Sequence, residues 1–208
     1  MARSAVREVI KRTYHHGDLE RALVETAVRM IQKEGVQGLT LRGVGARLGV
    51  SRTALYRHFD DKQALLARVA SEGFKRFHHA LSGAVERAEA QGADPMPAMA
   101  AAYAQFARSH PSHYQTMFSG VLTDGKGHPD LQRHGEAAFN VLLDAIRRGQ
   151  EDGRIRRGNP VEFAEITWAL SHGLATLGMA NQLPSPPSTL EALAVLGWTL
   201  LERGLRAK

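Results

Sequence analysis

Apolar residues recur along this chain at three- and four-residue spacings and nowhere in sustained alternation, a pattern that predicts helices and no strands. From about Asp18 to Glu34, Leu19, Leu23, Ala27, Met30 and Ile31 share one helical face, and Gly35 follows as a stop. Leu41, Val44 and Leu48 repeat the pattern over a shorter span. Thr40 stands ahead of them as a cap and Gly49 ends the segment. Ser51 is placed to cap a second short helix, with Leu55 and Phe59 turned inward and Arg52, Thr53, Tyr56, Arg57 and His58 outward. Asp60, with Gln63 three residues on, is a cap pairing for a third helix. Thr40–Lys62 therefore reads as helix, tight turn and helix, a helix-turn-helix.

The third helix continues from about Lys62 to Ala90, with Leu66, Val69, Phe77, Leu81 and Val85 on its inner face and Gly92 beyond its end. Its length, about 40 Å at 1.5 Å per residue, lets it serve two bodies, so the domain boundary is expected inside it. Asp94-Pro95 opens a helix to about Ser109, and Pro111 a short one to Phe118. A Gly-rich polar loop, Ser119–His128, precedes a long helix over Asp130–Glu151, with Leu131, Ala138, Leu142, Ala145 and Ile146 inward. Asn159-Pro160 with Glu162 opens Val161–Asn181. After a break at Pro184–Pro187, Ser188 with Glu191 forms a capping box for a last helix to about Arg203. The expected fold is all-α with about nine helices: residues 1–14 a flexible basic arm, 15–63 a three-helix helix-turn-helix domain, and 64–208 a second helical domain.

Charge sharpens this picture. Residues 1–65 hold twelve Lys/Arg against seven Asp/Glu, an excess of five; the remaining 143 hold fifteen against fourteen. Nearly all the net charge of +6 thus accompanies the helix-turn-helix, as a phosphate-binding surface requires, a solvated basic tail being the plainer alternative. Met1–Tyr14, carrying Arg3, Arg7, Lys11 and Arg12, is either an arm lying on DNA phosphates or in a minor groove, or simple disorder. The sequence has no Cys, which excludes disulfides, thiolate metal sites and Cys nucleophiles. No apolar run approaches the roughly 20 residues of a membrane span, and the first residues lack a secretory h-region, so a cytoplasmic location and no membrane partner are expected.

A helix-turn-helix puts its second helix in the major groove of double-stranded DNA. Thr40 and Ser51, as caps, can meet phosphates through their hydroxyls and nearby backbone N–H groups. Arg52 could pair bidentately with a guanine, a solvated arginine or a phosphate contact being the alternatives; Thr53 and Ala54 could touch thymine methyls. Arg42, on the first motif helix, joins these DNA-binding candidates. Catalysis is not expected. His15-His16 and His78-His79 diverge on a helix, His110 and His113 lack a carboxylate at ligand spacing, and no nucleophile, zinc or phosphate-loop motif occurs. No metal or cofactor is expected either.

The second domain holds an aromatic and Met set at helical spacing: Tyr103, Phe106, His110, Tyr114, Met117, Phe118, Phe139, Trp168, His172 and Met179. These are candidates to line an apolar ligand pocket, with His172 its polar member, although such a set is more often plain core, and His172 then a core histidine bonded to a carbonyl. In the last two helices Ala164, Ala169, Gly173, Ala175 and Gly178 precede Leu193, Leu196, Leu200 and Leu201, fitting either a four-helix interface across a two-fold axis or intramolecular core.

The segments YHHGDLERALVETA, GLTLRGVGARLGVS and RTALYRHFDDKQALL, with L-Y-x-H-F-x-x-K at Leu55–Lys62, resemble the N-terminal domain of the TetR family of bacterial transcriptional regulators. The run W-A-L-S-H-G at Trp168–Gly173 resembles the Trp-His-Gly (WHG) subclass of that family's sensing domains. The resemblance implies that Tyr56, His58 and Lys62 grip the DNA backbone, packing against the first helix being the alternative for Tyr56. It further implies a homodimer on a palindromic operator, and repression released by a small effector in the C-terminal domain; a constitutive or architectural DNA binder without effector is the alternative. Gly43 and Gly45 depart from the family, which usually has better helix formers there. Each costs about 1 kcal/mol against Ala, which predicts a first motif helix that orders fully only on DNA.

Overall fold

The computed structural model describes residues 16–120, 122 and 128–205, among which there are nine α-helices and no β-strand. The basic arm and most of the loop Ser119–His128 lie outside the described residues. The chain divides into two compact units after Leu65, a point inside the helix α4 (Lys62–Ala90).

The first unit contains α1 (His16–Gly38), α2 (Leu41–Leu48), α3 (Arg52–Tyr56) and the first turn of α4. Gly35 does interrupt α1, with φ 72°, but a further helical turn runs on to Gly38. Leu23, Ala27, Met30 and Ile31 of α1 are buried with Leu41, Val44, Leu55 and Phe59. Each of the larger of these side chains contributes on the order of 1.5–3 kcal/mol by leaving water, so the short α2 and α3 are held by burial more than by their own hydrogen bonds. The cap of α4 falls one residue later than the sequence pattern indicates. Asp61, not Asp60, accepts the N–H of Ala64, at 2.8 Å, because α4 begins only at Lys62.

α2 is helical throughout and capped at both ends. Gly43 has a packing reason: a Cβ there would lie 2.8 Å from the capping Thr40 Oγ1 and 3.0 Å from Met30 Cε. At Gly45 the nearest atom to a Cβ, Leu55 Cδ2, would be at an ordinary 3.4 Å. The two glycines are therefore not equivalent.

The second unit holds the rest of α4, then α5 (Pro95–Ser109), α6 (Pro111–Met117), α7 (Pro129–Glu151), α8 (Pro160–Met179) and α9 (Leu190–Leu205). Asp94 Oδ1 accepts the N–H of Met96 at 3.2 Å and Asn159 Oδ1 that of Val161 at 3.0 Å, so both cap-plus-proline starts are formed. The last helix starts differently. Ser188 sits inside a 3-10 turn, Pro187–Thr189, where the Thr189 hydroxyl donates to the Pro186 carbonyl, and the α-helix begins at Leu190. α5 packs on α8 and α9, and α7 on α8, around a core that includes Phe77, Leu81, Tyr103, Phe106, Ile146 and Trp198. Of the small residues of α8, Ala164, Ala175 and Gly178 belong to this core, whereas Ala169 is exposed and Gly173 half-buried.

Candidate DNA-binding face and sensor core

On the first unit, Thr40 Oγ1 accepts the N–H of Gly43 at 3.0 Å, and Ser51 Oγ accepts that of Ala54 at 3.2 Å. A hydroxyl that accepts keeps its own hydrogen to donate, so both caps retain a donor for an exposed anion. Gly49, in the left-handed region at φ 71°, closes α2 and turns the chain into α3. α3 is anchored by Leu55, and by Phe59 just beyond it; Arg52, Thr53, Tyr56 and Arg57 are exposed and Ala54 is half-buried. The Arg52 guanidinium lies 5.4 Å from the centre of the Tyr56 ring, within cation–π range. With Arg42 these two line an open groove of about 510 Å³, floored by Gly45, Ala46, Val50 and Leu55. Ala46 and Val50 bear no polar group, so nothing in the sequence singles them out for this groove.

Two expected grippers sit differently. His58 is half-buried rather than turned outward, since it follows the end of α3, where the chain folds back to bury Phe59. Lys62 is half-buried, and its ammonium donates to the carbonyl of Gln37 at 3.1 Å, tying the end of α1 to the start of α4.

In the second unit the sensor candidates form one aromatic cluster. Trp168 lies 5.7 Å from Tyr103, 5.8 Å from Phe77, 5.6 Å from Phe139 and 6.3 Å from Phe118, ring centre to ring centre. His110 stacks on Phe106 at 4.8 Å, and Met117, Phe118 and Met179 pack against the same core. His172 is the polar centre. Its Nδ1 lies 2.8 Å from the Tyr114 hydroxyl and 3.2 Å from that of Tyr103, and its Nε2 is 3.4 Å from Thr176 Oγ1. Burial raises both phenols above their ordinary pKa, Tyr103 furthest with help from Tyr114, and burial lowers that of His172. At neutral pH the cluster is therefore uncharged.

A cavity of about 20 Å³ adjoins this cluster, room for a single water. Tyr103 and Trp168 line it; Phe106, His110, Tyr114, Met117, Phe118, Phe139 and His172 do not. Its other walls come from residues outside the candidate set, among them Met96, Met99, Leu142, Ser171 and Trp198. One signal was available: Trp198 and Trp168 are the only two tryptophans of the chain.

Elsewhere on this unit large apolar side chains face outward: Ile166 and Leu177 on α8, eleven residues or three turns apart, and Leu196 and Leu200 on α9, one turn apart.

Comparison with known proteins gives two family matches. Residues 23–69 match "Bacterial regulatory proteins, tetR family", and residues 96–198 match "Tetracyclin repressor-like, C-terminal domain". A protein of unknown function from Rhodococcus sp. RHA1 shares the fold at TM-score 0.80 and 33% identity, over 95% of this chain and 100% of that one. The regulator PfmR of Thermus thermophilus superposes at TM-score 0.69 and 20% identity, over 88% and 98%. The uncharacterized HTH-type regulator YobS of Bacillus subtilis is 28% identical over 99 residues, 48% of this chain and 51% of that one; the match spans about half of that relative's length.

Proposed function

The chain belongs to the TetR family of bacterial regulatory proteins, and on that premise we propose that it is a DNA-binding transcriptional repressor. It binds a palindromic operator as a homodimer and is released by a small, largely apolar effector held in the C-terminal unit. The observation that carries the reading is α3 with the turn that follows it: Leu55 and Phe59 turn inward while Arg52, Thr53, Tyr56 and Arg57 all face solvent beside a capped turn. Arg52 reads a guanine, and Thr53 with Ala54 the methyl of a thymine. Thr40, Ser51, Arg42, Tyr56, His58 and Lys62 hold the phosphates, Lys62 with the donors that its bond to Gln37 leaves over.

The dimer forms through α8 and α9, whose outward Ile166, Leu177, Leu196 and Leu200 give an apolar face that pairs across a two-fold axis. The effector contacts the Trp168–His172 region, the stretch that resembles the Trp-His-Gly subclass. The protein acts in the cytoplasm, alongside its operator, and no described helix is long and apolar enough to cross a membrane. The cavity of about 20 Å³ favours a second reading, a constitutive DNA binder with no effector.

Selecting bound genomic fragments with the purified protein tests the first reading. An inverted-repeat consensus is expected, and operator affinity should fall when neutral hydrophobic compounds are added. Binding without sequence preference would refute the repressor; sequence-specific binding that no compound weakens would favour the constitutive reading.

A further inference from the structure

Trp198 is 3% exposed, and its indole Nε1–H finds no acceptor among the described residues. An indole nitrogen only donates, and buried donors in folded proteins are nearly always met by protein, water or ligand. Trp198 lines the same small cavity as Trp168, and about 20 Å³ is a seat for one acceptor atom rather than for a whole molecule. No Asp, Glu, Lys, Arg or His lines that cavity, so a charged group would be buried there without a partner. The wall hydroxyls are already committed as donors: Thr167 to the Phe163 carbonyl at 2.8 Å, and Ser171 to the Thr167 carbonyl at 3.0 Å. The Tyr103 hydroxyl lies 3.2 Å from His172 Nδ1, within the polar group that His172 forms with Tyr114. Among the described wall residues, the indole of Trp198 is thus the fully buried donor without a partner. Met96 and Met99, unbranched and adaptable, form the part of the wall that can give way to the bulk of a ligand.

We propose that this site takes an uncharged, mainly apolar molecule carrying a carbonyl- or ether-type oxygen, and that the oxygen accepts a hydrogen bond from the indole N–H of Trp198. The inference rests on the effector-responsive function proposed above and names the chemical class of the effector.

With two tryptophans, the ¹⁵N-labelled full-length protein gives two indole resonances, and Trp198→Phe assigns one by its loss. The probes are 2-heptanone, its isostere 2-methyl-1-heptene, which lacks the oxygen, and hexanoate, which carries a charge. The ketone should move the Trp198 resonance and bind about tenfold more tightly than the alkene, the worth of one net hydrogen bond. The preference should vanish in Trp198→Phe, and hexanoate should not bind. Equal affinity for ketone and alkene, a preference that survives in Trp198→Phe, or no binding by the ketone would overturn the proposal. If Trp198→Phe does not fold, the wild-type resonance assigned through Trp168→Phe carries the test. Operator affinity is measured in parallel. A ketone seated on Trp198 that leaves DNA binding unchanged defeats the effector reading and leaves this site standing; a carboxylate that releases DNA without moving the Trp198 resonance does the reverse.

Discussion

The Tyr114 hydroxyl lies 2.8 Å from Nδ1 of His172, and the Tyr103 hydroxyl reaches the same nitrogen at 3.2 Å. A neutral imidazole offers one lone pair, so the shorter contact holds the stronger bond. Tyr114→Phe should therefore destabilise the second unit by about 1 kcal/mol, and Tyr103→Phe by less. Denaturant unfolding of the two variants checks the order, and the reverse ranking would contradict this assignment of the bond.

Acid should destabilise the protein. Burial lowers the pKa of both His113 and His172 from 6.5; at His113 Arg76 and His110 reinforce it and Glu72 opposes it. Between the lowered folded values and 6.5 the unfolded chain binds more protons, so stability is whole above 6.5 and declines as pH falls below it. Thermal melts at about pH 7.5, 6.5 and 5.5 should show a falling midpoint, and His113→Gln should flatten the decline. An unchanged slope in that variant would exclude His113 as a source.

Arg52 and Lys62 should fail in different ways. Arg52→Ala, at an exposed site, is expected to leave folding intact, cost about 1–3 kcal/mol at one operator position and relax the preference there. Lys62→Ala should weaken all DNA sequences alike, reduce the salt slope by about 1 and, through loss of the Gln37 contact, lower stability even without DNA. Quantitative binding across an operator library at two salt concentrations separates the two.

The paired glycines of α2 give an internal control. Gly45→Ala should stabilise the first unit by up to about 1 kcal/mol, because the added methyl meets only an ordinary contact. Gly43→Ala should not, since its Cβ presses on the capping hydroxyl of Thr40 and the loss of that cap costs about as much as helix propensity gains. Equal stabilisation by both substitutions would disprove the packing role of Gly43.

Leu196→Glu combined with Leu200→Glu should leave the second unit folded, because both side chains face solvent, and should convert the proposed dimer to monomer in sedimentation at micromolar concentration. A persistent dimer would move the interface away from α9.

Helix order was readable from apolar spacing because each helix carries one inward stripe, and Asp94 and Asn159 cap as their residue types indicate. Asp61 displaced Asp60 and the last helix began late at Leu190, since these starts depend on how the preceding turn packs, which periodicity does not record. On the DNA-binding face the outward positions of α3 were legible, as the spacing of Leu55 and Phe59 sets them. His58 and Lys62 were not, because His58 follows the end of α3 in the turn that buries Phe59, and Lys62 bonds to the Gln37 carbonyl outside the motif's two helices. The cavity beside Trp198 was the least legible part. Met96, Met99 and Trp198 come from α5 and α9, 99 residues apart between Met99 and Trp198, and only their packing brings them to one wall.

α3 has only five residues, too few to be helical alone, and two side chains, Leu55 and Phe59, fasten it from below. The residues that face outward contribute almost nothing to that fastening. Mutation can therefore rewrite Arg52, Thr53, Tyr56 or Arg57 with little threat to the fold, and after gene duplication a copy of this protein could drift to a new target site one side chain at a time, staying folded at every step.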